Sequence, residues 1–226
     1  MRLGREPKED RRPSPSPGRY GLYQMTTPKF IIALLTISFL TSCRGTYRLS
    51  EKEHDWMPYN GNEILVFSSN SGDTDTIFFL QKDTLIAYPE AQSLNGKTYE
   101  VVRIFCRHSD ALPPDGNHRY LDNDFVELKK SKDKKARLHF NLSAKDANFY
   151  RLTGIRIDSI SQLSPTSLAT KSKTYNDVYI IDSEDRLNFK QRSNYVTKLY
   201  WSKSEGLIRY DKQDSVYWEL TKKYSP

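Results

Sequence analysis

The chain lacks an apolar run long enough to cross a bilayer. Its longest, Phe30 to Leu40, has eleven residues, about 16 Å as a helix against roughly 30 Å of hydrocarbon. A polytopic membrane protein is excluded. Cysteine is scarce, with only Cys43 and Cys106 among 226 residues, which excludes a disulfide-stapled scaffold. No Gly-x-Ser-x-Gly, no Ser-x-x-Lys with its partner motifs and no cysteine beside a suitable histidine marks a nucleophile, and no Walker loop or Gly-x-Gly-x-x-Gly supports nucleotide binding. Glycine at 10 and proline at 11 rule out a collagen-like repeat. What is present is polar and aromatic: mean hydropathy is −0.73 and 28% of residues are charged. The 25 tyrosines and phenylalanines are enough to build the core of one or two compact domains.

The apolar run is preceded by Lys29 and followed by the small polar pair Thr41 and Ser42. A positive start, an apolar core and small residues form the layout of an export signal. Residues 1–24 do not fit it, because Arg11-Arg12-Pro13-Ser14-Pro15-Ser16-Pro17 neither packs nor inserts. They read as an untranslated or disordered extension, with translation starting at Met25 and residues 25–42 forming the leader. A twin-arginine signal is a poor reading, since prolines follow Arg11-Arg12 and the apolar core is distant.

Leu40-Thr41-Ser42-Cys43 resembles the lipobox of bacterial lipoproteins, an aliphatic residue and two small ones before a cysteine. The resemblance implies a diacylglyceryl group on the Cys43 thiol, cleavage between Ser42 and Cys43, and often acylation of the new α-amine. The expected partner is therefore a membrane, held through covalent lipid on Cys43. Burial contributes about 0.8 kcal/mol per methylene, so two or three acyl chains hold a protein durably where one does not. Arg44 stands where an aspartate retains many lipoproteins in the inner membrane, so the outer membrane of the cell envelope is favoured.

Removing the leader changes the electrostatics. The whole chain carries +7, but residues 1–42 hold seven Lys or Arg and three acids, leaving 28 basic and 25 acidic residues in the remaining 184. A net +3 generates no general polyanion field, and export takes the domain away from nucleic acid. Cys106 becomes the sole unmodified thiol. It alternates with Val102 and Ile104 in a period-2 segment, the pattern of a small buried residue.

Residues 43–55 are polar and of mixed charge, and read as a tether. From Trp56 to residue 226 short β-type runs alternate with turns. Strands are expected at residues 63–68, 74–81, 83–88, 99–108, 124–130, 137–142, 150–160, 175–182, 195–201, 207–210 and 216–220. Residues 143–150 are expected to form one or two helical turns. Asn70-Ser-Gly-Asp73, Asn95-Gly96, Pro113-Pro-Asp-Gly116, Glu205-Gly206 and Asp211 to Asp214 supply turns. The class is all-β, an antiparallel meander closing as a barrel, half-barrel or sandwich, because one flat open sheet would leave an apolar face wet.

Trp56-Met-Pro-Tyr59 with Gly61, Ser71-Gly-Asp-Thr-Asp-Thr-Ile77, and Gly206-Leu-Ile-Arg-Tyr210 through Trp218-Glu-Leu220 are similar to segments of small Bacteroidetes-type lipoproteins. The resemblance spans most of the domain. It implies location and fold, and it transfers no catalytic residue.

The densest polar stretch runs from His108 through Asp115 and His118 to Asp124. His108, Asp115 and His118 are the weak metal candidates, but neither zinc nor calcium spacing is met, so a solvated loop and no cofactor are expected. Asp73-Thr-Asp75 reads as a turn. His139, between Leu138 and Phe140, is expected to face solvent, and His54 to lie in the tether. Lys129 to Arg137, six cations and one acid, reads as a hairpin tip that blunts strand edges or touches anionic headgroups. Trp56, Trp201 and Trp218 with Tyr200, Tyr210 and Tyr217 are expected to be mainly core, the alternative being the lining of a glycan or apolar-ligand cavity. The expected function is that of a lipid-anchored envelope protein, a non-enzymatic binding or accessory module with an envelope protein or glycan partner. The alternatives are an envelope hydrolase or transferase, and a lipocalin-like carrier.

Overall fold

The structure, a computed structural model, describes residues 45–88, 96–108, 123–140, 143–144, 147–149, 151, 153–184 and 188–225. The leader, the lipobox residues and Cys43 lie outside these, as do Asp115, His118 and the turns at Asn95 and Pro113 to Gly116. No helix among the described residues is long and apolar enough to cross a membrane.

The domain is all-β and forms a half-barrel, one curled antiparallel sheet of eleven strands. Its first meander comprises β2 (Ile64–Ser69), β3 (Thr74–Ala87), β4 (Thr98–His108), β5 (Asn123–Lys130) and β6 (Ala136–Phe140), and ends at β9 (Ile155–Arg156). A second comprises β10 (Thr166–Ala169), β11 (Thr174–Asp182), β12 (Val196–Ser202), β13 (Gly206–Lys212) and β14 (Tyr217–Tyr224). The halves join where β14 pairs antiparallel with β2, Trp218 opposite Ser69 and Tyr224 opposite Ile64. Two short strands, β7 (Ser143–Ala144) and β8 (Ala147–Asn148), pair with each other apart from this sheet. The free edges β9 and β10 are consecutive in the chain and are linked through α2 (Ile157–Ser161). The sheet thus stops short of closure at a seam spanned by one helical turn.

Alternation explains the core. In β2, Leu65 and Phe67 are fully buried while Ile64 and Val66 are half-buried, the period-2 division of a curled sheet with one inner face. Inside, Tyr59 makes edge-on contacts with Phe79 (4.7 Å between centroids), Trp201 (5.8 Å) and Phe125 (6.0 Å). Trp201, Trp218, Tyr210 and Cys106 are buried from strands and Trp56 from the turn ahead of β2, whereas Tyr200 and Tyr217 are half-buried.

Several elements differ from expectation. The part of the expected tether from Thr46 to Asp55 is built into the domain. Here β1 (Thr46–Tyr47) pairs parallel with β4, Leu49 is buried, and α1 (Glu51–His54) follows. Ser50 caps α1 by donating from its backbone N–H (2.8 Å) and hydroxyl (2.9 Å) to Glu53 Oε2. Lys130 Nζ then anchors Glu53 at 2.6 Å, and Glu100 accepts the Leu49 N–H at 2.9 Å. Long-range ion pairs of this kind leave no trace in a polar stretch of sequence.

The two strands expected at 74–81 and 83–88 are one strand of 14 residues. A bulge at Leu80 shifts the register between Phe79 and Gln81, so the alternation is interrupted inside one continuous strand. The bulge lies against Gly61, at φ 96°, where an added Cβ would overlap the backbone of Gln81 and Lys82. Residues 150–160 are expected as a strand, yet among the described residues of that range only Ile155 and Arg156 pair with β6 before α2 begins. Ile155 and Ile157 obey period two, but Ile157 and Ile160 bury one face at helical spacing. Ser143 to Tyr150 was expected as helix; among its described residues Ser143 pairs with Asn148 and Ala144 with Ala147 across two strands.

Candidate functional site

Of the weak metal candidates, His108 ends β4, and Asp115 and His118 lie outside the described residues. No group of three or more His, Cys, Asp or Glu side chains able to hold a metal occurs among the described residues. Asp73 accepts the Ser71 hydroxyl at 3.1 Å within the β2–β3 turn, whereas Asp75 is buried in β3 opposite Phe67.

His139 departs from the expected solvent-facing position. It is half-buried, and Gly154 lies so close above its ring that an added Cβ would overlap it. Burial first, then repulsion from Lys129 and Arg137, outweighs the attraction of Glu127 and lowers its pKa to about 4. His54 Nε2 lies 3.4 Å from Glu100 Oε1, tying α1 to β4.

The lysine-rich run forms the expected hairpin tip, with Lys134 in the left-handed region at φ 62°. Most of its charges are engaged: Lys129 with Glu127 at 2.7 Å, Lys135 with Asp158 at 3.0 Å, and Arg137 with Asp133 at 2.8 Å. The tip leans toward the seam rather than standing free.

Two clefts stand out among the described residues. The smaller, about 370 Å³, is lined by Tyr175, Thr221 and Ser172 around Glu205, whose carboxylate is clamped by Lys173 (2.7 Å) and Lys223 (3.2 Å). These two cations outweigh the effect of burial and hold Glu205 below its ordinary pKa. Lys173, Lys222 and Lys223 against the one carboxylate leave this cleft net positive, but it has no open aromatic face beside them like that of the seam.

The larger cleft, about 620 Å³, lies at the unclosed seam. Tyr179 of β11 and Ala136 of β6 approach it from the two ends of the sheet, Ile157, Asp158 and Ser161 of α2 cross it, and Lys52 and Glu53 of α1 with Trp56 and Lys203 complete its wall. Its apolar wall is the Trp56 and Tyr179 pair, ring centroids 4.9 Å apart. Trp56 is almost wholly buried and buttresses Tyr179, whose ring is partly open. Lys203 Nζ stands 5.7 Å from the indole centroid, within cation–π range.

The charges of this wall are unequal. Glu53 is engaged by Lys130 (2.6 Å), Asp55 by Lys203 (3.5 Å), and Asp158 by Lys135 (3.0 Å) and Arg156 (3.4 Å). Burial raises the Glu53 pKa, but the Lys130 and Ser50 hydrogen bonds outweigh it and keep the carboxyl ionised. Asp158 is likewise held low, first by the Lys135 hydrogen bond. Lys52 and Lys134 line the same cleft with no carboxylate partner among the described residues; Lys134 Nζ lies 5.5 Å from the Tyr47 ring. The site therefore offers an aromatic face, several carboxylate acceptors and two uncompensated ammonium groups. Sequence reading singled out Trp56 and the lysine run separately, but their meeting across the seam depends on the sheet's curl.

An all-β half-barrel with a basic, aromatic seam cleft is the class that fold and site define. No family model matches the chain, and no curated protein or solved structure does either.

Proposed function

We propose that the chain is a lipid-anchored protein of the bacterial cell envelope, acting as a non-enzymatic binding or accessory module. The observation that carries this reading is Leu40-Thr41-Ser42-Cys43 directly after the eleven-residue apolar core. The fold adds support. Thr46, three residues after Cys43, is already paired with Thr98 of β4, so the chain between lipid and sheet reaches only about 11 Å when extended. A domain on so short a leash stays against the membrane surface, and the outer membrane is the favoured one. Buried rings around Tyr59 fill the curl of the sheet, which supports a ligand held at the seam over one carried inside.

Substituting Cys43→Ser tests the anchor in cells fed labelled palmitate. The wild-type protein is expected to take up label and sediment with envelopes, and the variant to lose both label and maturation. A variant that still matures at the same position and sediments with envelopes overturns the reading.

A further inference from the structure

The geometry points to the seam cleft as a binding site for an acidic saccharide, a sugar ring carrying a carboxylate or phosphate group. This inference rests on the binding-module reading and names the ligand class.

Three features of the wall select that chemistry. Tyr179, braced by Trp56 at 4.9 Å, presents a partly open aromatic ring of the kind that takes the C–H face of a sugar. Around it Glu53, Asp55 and Asp158 offer acceptors for hydroxyl groups, each already charge-compensated by a basic neighbour and so still able to accept O–H donors. Lys52 and Lys134 add positive charge that no carboxylate among the described residues neutralises, and an ammonium group meets an anion through a charge-assisted hydrogen bond. A purely apolar ligand leaves this ring of charges without partners. A polyphosphate brings neither the C–H face that the Tyr179 ring takes nor hydroxyl donors for the carboxylate acceptors. A ligand with many hydroxyls and one or a few negative charges satisfies every part of the wall. The volume, about 620 Å³, suits a ligand of two or three sugar units.

Location agrees with the chemistry. The cleft opens between α1, a few residues after the anchoring segment, and the β5–β6 hairpin, so a tethered domain holds it where envelope polysaccharides and lipid-linked sugars lie.

The test is calorimetric titration of the full chain, held in a polyoxyethylene detergent, with trigalacturonate, with uncharged maltotriose and with phosphatidylglycerol vesicles. Trigalacturonate is expected to bind at least tenfold more tightly than maltotriose, weakening as salt rises. The double substitution Lys52→Gln with Lys134→Gln is expected to reduce trigalacturonate affinity at least tenfold, as is Tyr179→Ala, while Tyr179→Phe retains it. Unchanged thermal melting of the lysine variant shows that the fold persists. Equal binding of the two trisaccharides, binding of neither, or binding untouched by the lysine changes overturns the proposal. Lysine-dependent binding of vesicles alone also overturns it and assigns the cleft to lipid headgroups. Failure here is separable from failure of the anchor: the Cys43→Ser protein, titrated in the same way, is expected to bind trigalacturonate like the wild type whatever its fate in cells.

Discussion

The phenol oxygen of Tyr59 accepts the backbone N–H of Leu207 at 2.7 Å, and the neighbouring Gly206 passes directly beneath that ring. One end of the β12–β13 hairpin is therefore pinned to the loop before β2, 148 residues earlier in the chain. Gly206 holds φ 90°, and a Cβ there would overlap the Tyr59 hydroxyl. Gly206→Ala is expected to cost about 3 kcal/mol through backbone strain and displaced packing together. In a domain of this size that lowers the melting temperature by roughly 10 °C. Tyr59→Phe leaves the Leu207 N–H buried without a partner and is expected to cost about 1–2 kcal/mol. A melting curve for Gly206→Ala within a degree of wild type contradicts the arrangement.

Glu63 caps the turn before β2 by accepting the N–H groups of Asn60 (2.6 Å), Gly61 (2.8 Å) and Asn62 (3.1 Å). Burial raises its pKa, but these donors outweigh that effect and hold the carboxyl below its ordinary value. A group bound more tightly as the anion in the folded state adds stability above the unfolded pKa, near 4.5, and loses it as pH falls below that. Glu63→Gln keeps one acceptor and turns an NH₂ toward backbone donors, so a loss of about 2 kcal/mol at pH 7 is expected. Urea unfolding at pH 7 and pH 3 is expected to show the difference between variant and wild type shrinking in acid.

His139 has the opposite sense of proton linkage to a histidine stabilised by an acid. Its pKa falls from 6.5 toward about 4 on folding, so the unfolded chain takes up the proton first. The stability of the fold is then full above pH 6.5 and declines as pH falls toward 4, by up to about 1.4 kcal/mol per pH unit from this one site. His139→Gln is expected to flatten that part of the urea-derived stability profile. An unaltered slope places the acid sensitivity elsewhere.

Glu100 holds the N-terminal segment by both oxygens, one accepting Leu49 N–H at 2.9 Å and the other 3.4 Å from His54. Glu100→Ala is expected to raise amide hydrogen exchange across residues 46–57 at least tenfold, leaving β12 and β13 protected. Uniform change across the domain means that the segment is not an independently opening latch.

The sequence makes the sheet legible wherever one face is buried and the other wet. β2 and β6 alternate cleanly, and Gly72 and Gly206 take the positive φ that their turn positions predict. It fails where other forces act. The edge strand β10, Thr-Ser-Leu-Ala, is almost wholly exposed and carries no apolar alternation, because an edge over the seam buries little. α2 is a single turn whose two isoleucines also satisfy a strand's period. The seam cleft was half legible: Trp56 and the lysine run stand out, but Tyr179 and Lys203 are ordinary residues until the curl brings them beside α1.

The strand that completes the sheet comes last. β14 lies in the interior of the strand order, between β13 and β2, so a chain emerging N-terminus first from a narrow pore exposes the edge of β2 until residue 224 is out. Contacts separated by about 150 positions form slowly. That delay leaves the two halves of the sheet open along one edge until the eight residues of β14 are available, and makes this strand the clasp that joins them.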